Sequence, residues 1–235
     1  MIGTLINVAT VLIGGGIGCL IGERFPKRIH RTVMAGLGLF TMLLGVQYFI
    51  GTENILIVLI SLLIGAVIGE WLGIEEGLNG LGEQLQKKFT NQSEKSSNST
   101  FVQGFVVASL LFCVGPMSIL GSIQDGLTGD FTTLFIKAMM DGFAAIAFAS
   151  SLGIGVLFSS VIVFLYQGSI TLLANQVQSF ITEAMITEMN AVGGVLLLGI
   201  GISSLLAIKK IRIGSFLPAL FIAPLLVWLV SIVGF

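Results

Sequence analysis

Lys137 and Asp141 stand four residues apart inside an apolar run, a spacing that turns both side chains to one face of a helix, where they can pair. At membrane depth each charge alone costs on the order of 2.5 to 3.5 kcal/mol, so the pair must face protein or water. Thr133 one turn earlier, and Ala144 and Ala145 one turn later, continue that face with small or polar groups. The preceding run carries Gly115-Pro116. Proline in a helix interior frees a carbonyl and glycine lowers the resistance to bending, so this run is expected to split into two half-helices. Half-helix ends present dipoles that suit an ion or a charged group of a solute. Ser118, Ser122, Gln124 and Asp125 add hydroxyl, amide and carboxylate groups just beyond the break. Together these residues are the candidate solute- or ion-binding set. Two plainer readings compete: Lys137 snorkels to the surface from the outer half of its span, and Gly115-Pro116 is a simple kink.

The elements that position them are membrane spans. The chain is 55% hydrophobic and 10% charged, and its mean hydropathy is +1.04, far from the soluble balance of roughly a quarter charged residues. Apolar runs of about 18 to 22 residues are long enough to cross a hydrocarbon core. An all-α, polytopic transmembrane bundle of about eight spans is expected, near residues 4–22, 32–50, 54–72, 102–122, 131–149, 152–170, 189–208 and 214–233. A seven-span version needs a re-entrant segment near residues 115–130. One integral membrane domain accounts for the chain, grouped as residues 1–72, 73–100 and 101–235. The net charge of −1 makes no electrostatic case for nucleic acid.

Orientation follows from basic residues. Arg24, Lys27, Arg28, Arg31, Lys87, Lys88, Lys95, Lys209, Lys210 and Arg212, ten of the eleven, fall in the loops after the first, third and seventh spans. The positive-inside tendency makes that face cytoplasmic and places both termini outside. The loops assigned to the other face hold Glu53, Asp125, Asp130, Glu183 and Glu188. The opening apolar run lacks a preceding positive charge, so it is expected to remain as a first span.

Glycines four apart let two backbones approach, which is how helices associate in lipid. Gly14, Gly18 and Gly22 in the first span, echoed by Gly65, Gly69 and Gly73 in the third, are read as packing faces. A fainter echo sets Thr4 and Asn7 against Thr187 and Asn190. Ile74, Leu78, Leu81, Leu85 and Phe89 recur at helical spacing and predict an amphipathic cytoplasmic helix, followed by a polar linker over 91–100. A second surface helix is expected near Leu173 to Ala184, and Pro218 and Pro224 are expected to bend the last span.

No His, Cys and carboxylate cluster has metal spacing, and no nucleophile, base and orienting group can be assembled, so neither enzyme nor cofactor is expected. Cys19 and Cys113 read as small buried hydrophobes, His30 as a solvated loop residue, and Glu70 as an interfacial carboxylate.

Met1-Ile2-Gly3-Thr4-Leu5-Ile6-Asn7, the Gly14 to Gly22 run with Glu23-Arg24, Gly115-Pro116-Met117 through Gln124-Asp125-Gly126, Lys137 with Asp141-Gly142, and Tyr166-Gln167-Gly168 together resemble a bacterial membrane-protein family, domain of unknown function 554. The resemblance implies a bacterial cytoplasmic-membrane location and brings no established activity. The leading expectation is a secondary transporter or channel-like protein for a small polar or charged solute or ion, in contact with the bilayer and with room for a homo-oligomer. The alternative is a membrane scaffold or sensory partner.

Overall fold

A computed structural model describes residues 1–22, 26–89 and 97–233. The described residues are all-α: α1 (Ile2–Gly22), α2 (Lys27–Ile50), α3 (Ile55–Trp71), α4 (Ile74–Phe89), α5 (Ser97–Cys113), α6 (Pro116–Thr128), α7 (Thr132–Leu152), α8 (Gly155–Leu172), α9 (Ala174–Phe180), α10 (Glu183–Ile200) and α11 (Ala219–Val233). A π-turn follows α10 at Gly201–Leu205, and a 3-10 turn at Ile213–Phe216 precedes α11. Among the described residues six segments are long and apolar enough to cross a membrane, and the pairs α3–α4 and α5–α6, bent by 58° and 62°, bring the total to as many as eight if each pair is one span. Arg24 and linker residues 91–96 lie outside the described residues, as do the side chains of Leu81, Leu85 and Phe89. Residues 97–100, expected in the linker, instead form the first turn of α5.

Two compact units share the chain and cut across its linear grouping. The first comprises Met1–Leu37, Asn79–Cys113 and Met117–Val177; the second comprises Gly38–Leu78, Val114–Pro116 and Gln178–Phe235.

In the first unit, α1 lies against α7 at a separation set by glycine. A Cβ at Gly14, Gly18 or Gly22 would fall on the carbonyl oxygen of Gly142, Ile146 or Ser150 respectively. The contacts advance in the same direction along both helices, so α1 and α7 run parallel. Helix α8 runs antiparallel to α1, with Gly15 beside Leu157 and Thr4 beside Thr171.

The bent pair α5–α6 follows α8 for its whole length. Phe101 packs on Phe158 with ring centroids 5.5 Å apart, while Gly126 abuts Thr171 and Ala174 at the other end. The pair therefore runs one way along α8 and does not turn back on itself as a hairpin. Because α6 continues to Thr128, Gln124, Asp125 and Gly126 belong to a helix and the connection shrinks to three residues. Within it Asp130 accepts the Thr132 N–H at 3.0 Å, and hydrogen bonding from Thr132 holds its carboxyl below the ordinary carboxylate range.

In the second unit, α3 packs on α11 with Gly65 against Ala219 and Gly69 against the Ser215 carbonyl. Gly45 and Gly194 do the same for α2 and α10. Val58, Ala191, Val192, Ala219 and Ala223 form the shared apolar core. Gly73 is not part of the packing face: it adopts φ +61° at the turn after α3, and an added Cβ there would meet nothing closer than Glu76 at 3.7 Å. The residue provides a left-handed turn. Pro218 also differs from expectation. It precedes the first residue of α11, where its missing N–H costs nothing, and its carbonyl accepts from Phe221 at 3.0 Å; Pro224 alone lies inside the helix.

Glu188, expected in a loop, lies within α10 and is 2% exposed. Its carboxylate accepts the Thr52 hydroxyl at 2.6 Å and the N–H groups of Glu53 and Asn54 at 2.8 and 2.9 Å, tying the α2–α3 connection to α10. Glu188→Ala is expected to cost about 3 kcal/mol by orphaning these donors, and Glu188→Gln about half as much. Thermal unfolding in detergent checks the order, and an Ala variant as stable as Gln would refute it. At the far end of α3, Arg212 pairs with Glu70 and Glu76, and Glu70 also accepts from Ser215 at 2.9 Å.

Candidate functional site

The site lies in the first unit and begins with a carbonyl that has lost its natural donor. In a continuous helix the Phe112 C=O accepts from residue 116, which is proline and has no N–H. Gly115 turns the chain at φ +129°, a conformation L side chains rarely adopt, so the break is written into both residues. The freed carbonyl accepts the Lys137 ammonium at 2.6 Å and the Ser118 hydroxyl at 3.2 Å.

From there a closed ring of hydrogen bonds can be traced. Lys137 Nζ pairs with Asp141 Oδ2. Asn7 Nδ2 donates to the same Asp141 oxygen at 3.0 Å and to Gln167 Oε1 at 3.2 Å. Gln167 Nε2 donates to Ser118 Oγ at 3.0 Å, which leads back to the Phe112 carbonyl. Helices α1, α5, α6 and α8 each contribute one member and α7 contributes two, so the ring forms only when the unit is assembled. Asn7, Ser118 and Gln167 are fully buried, and Lys137 and Asp141 are 6% and 7% exposed. One oxygen is left over: Asn7 Oδ1 is buried without a partner.

The arrangement overturns the snorkelling alternative, since Lys137 reaches inward to Phe112 and Asp141. A desolvated ammonium and carboxylate in apolar surroundings are costly unless mutually paired and further hydrogen-bonded, and the ring supplies that pairing. Chemically it holds one positive charge between two oxygens, a backbone carbonyl and the carboxylate that balances it.

Other expected site residues fall elsewhere. Ser122 donates to the Ser118 carbonyl at 2.6 Å within its own helix and stays out of the ring. Gln124 and Thr133 bond each other at 2.8 Å on an outward-facing patch. Asp125 is buried and accepts from the Met1 amine at 2.8 Å and the Gly3 N–H at 3.1 Å, holding α6 to the start of α1. Gly115 and Pro116 act through the backbone, and in the second unit the Tyr48 hydroxyl lies 2.8 Å from where a Gly115 Cβ would stand. Sequence reasoning did not assign Asn7 and Gln167 to the site, although both are amides inside apolar runs, the same signal that singled out Lys137 and Asp141. No sequence signal would select the Phe112 carbonyl except its place four residues before a proline. Among the described residues no group of three His, Cys, Asp or Glu could hold a metal ion.

A model of the family described as "Protein of unknown function (DUF554)" matches residues 2–228. The chain is 33% identical over 223 residues to the uncharacterized protein YqgA of Escherichia coli (strain K12), covering 95% of this chain and 94% of that one. It is 32% identical over 238 residues to the uncharacterized membrane protein YdfK of Bacillus subtilis (strain 168), covering 100% and 99%. No solved structure matches it. With its apolar helices, its break at Gly115-Pro116 and these full-length likenesses, the chain belongs to the DUF554 family of membrane proteins.

Proposed function

We propose that this protein is a secondary transporter or channel-like protein of the bacterial cytoplasmic membrane, with both termini outside, acting on a small polar or charged solute or ion without catalysing a covalent reaction. The observation that carries the reading is the Phe112 carbonyl, freed by Pro116 and closed into a buried ring with Lys137 and Asp141. Interrupted helices at membrane depth persist where they line a site, and intramembrane ionisable residues mark ion and solute paths. In this reading Asp141 accepts the cation or proton and Lys137 is its resident counter-charge. The closed ring corresponds to an occluded form.

The deep burial of the pair supports a second reading, a membrane scaffold in which the ring serves only to lock α1, α7 and α8 together. Flux of ions and metabolites into proteoliposomes separates the two. Transport predicts flux for at least one solute that falls at least tenfold in Asp141→Asn. Flux that is unchanged in Asp141→Asn removes that residue from the mechanism, and a correctly folded protein that moves no panel member favours the scaffold.

A further inference from the structure

Resting on that reading, we infer that the ring is a binding site for a compact monovalent cation, a sodium-like metal ion or a small ammonium, and that the Lys137 ammonium is a tethered occupant of it. Three observations converge. The ammonium is held by the Phe112 carbonyl at 2.6 Å and by the Asp141 carboxylate, both of them hard oxygen acceptors. Asn7 Oδ1 is buried with no partner, although a membrane interior makes such an orphan costly. Asn7 Nδ2 donates to Asp141 Oδ2 at 3.0 Å, so the side chain that carries the spare oxygen is bonded to the carboxylate.

Charge selects the class of occupant. One carboxylate balances one positive charge, as it now balances Lys137. A divalent ion in the same place would leave a net buried charge, which the low dielectric penalises severely. The donors are carbonyl, carboxylate, amide and hydroxyl oxygens, which favour hard cations over soft transition metals. For a free cation to enter, the ammonium must swing off Asp141. Its tether therefore acts as a built-in competitor, with an effective concentration of order millimolar or above.

Removing the ammonium should uncover the site. Lys137→Gln and Lys137→Met are compared with wild type in detergent by thermal unfolding, at constant ionic strength, with choline chloride replaced by sodium, potassium, ammonium or methylammonium chloride. The expected result is that at least one compact cation raises the midpoint of a Lys137 variant by about 3 °C or more. The rise should saturate, and the half-saturating concentration should be at least tenfold lower than in wild type. Adding Asp141→Asn to either variant should abolish the shift. Preference among the four salts separates metal ion from ammonium. If both Lys137 variants fail to fold in choline, the proposal requires that one of the four cations restores folding during purification. Equal responses to all four salts and choline, or a shift that survives Asp141→Asn, overturn it. Flux of an uncharged solute with no cation-specific shift would defeat this inference and leave transport standing; a cation-specific shift with no flux would do the reverse.

Discussion

Asp141→Ala is expected to destabilise the protein by about 3–5 kcal/mol, because it strands the Lys137 ammonium in apolar surroundings with one carbonyl and no counter-charge. Lys137→Met should cost a similar amount by leaving the carboxylate with the Asn7 amide alone. The informative variant is the double one, Lys137→Met with Asp141→Leu. Once both charges are gone the Phe112 carbonyl and the Asn7 NH2 group still have partners, since Ser118 donates to the Phe112 carbonyl at 3.2 Å and Asn7 to Gln167 at 3.2 Å. The double variant should therefore recover most of the loss, as replacement of buried ion pairs by packed apolar residues commonly does. Chemical or thermal unfolding of the four proteins in one detergent forms the cycle. Additive losses would show that the two charges do not act as a pair. Recovery of stability without recovery of flux would separate the ring's function from its structural contribution.

The second large effect concerns the backbone contact between α1 and α7. Gly14→Ala places a methyl carbon on the Gly142 carbonyl oxygen, and no side chain can move aside because the obstacle is backbone. The helices must separate, at a cost of about 2–3 kcal/mol. Gly16→Ala, two positions away, has nothing within 4 Å and should change stability by no more than about 0.5 kcal/mol. Equal effects at the two positions would mean that the close approach is not what holds α1 to α7. Since α1 also delivers Asn7 to Asp141 and Gln167, Gly14→Ala should weaken the site as well as the fold, and a flux assay on the surviving folded fraction would detect that.

Much of this molecule can be argued from its residues in order. Apolar runs near 20 residues dictate helices, because lipid offers backbone groups no other partner. Proline at 116 with glycine at 115 dictates a break, since one removes a donor and the other admits a positive φ. The spacing of Lys137 and Asp141 dictates a pair, and glycines every fourth residue dictate a close helix contact. Each is a local rule, decided within about one turn of chain.

Tertiary structure decided what lies across many residues. The sequence could name Gly14, Gly18 and Gly22 as a face but not α7 as its partner, because many helices offer small residues and a backbone carbonyl is present at every position. Glu188 looked like a loop carboxylate, since nothing local shows that three donors of the α2–α3 connection, more than 130 residues away, converge on it. Asn7 and Gln167 are ordinary polar interruptions until α1, α7 and α8 bring them together. Lys137 could have reached the surface by length alone. It turns inward because a carbonyl orphaned 25 residues earlier is there to receive it.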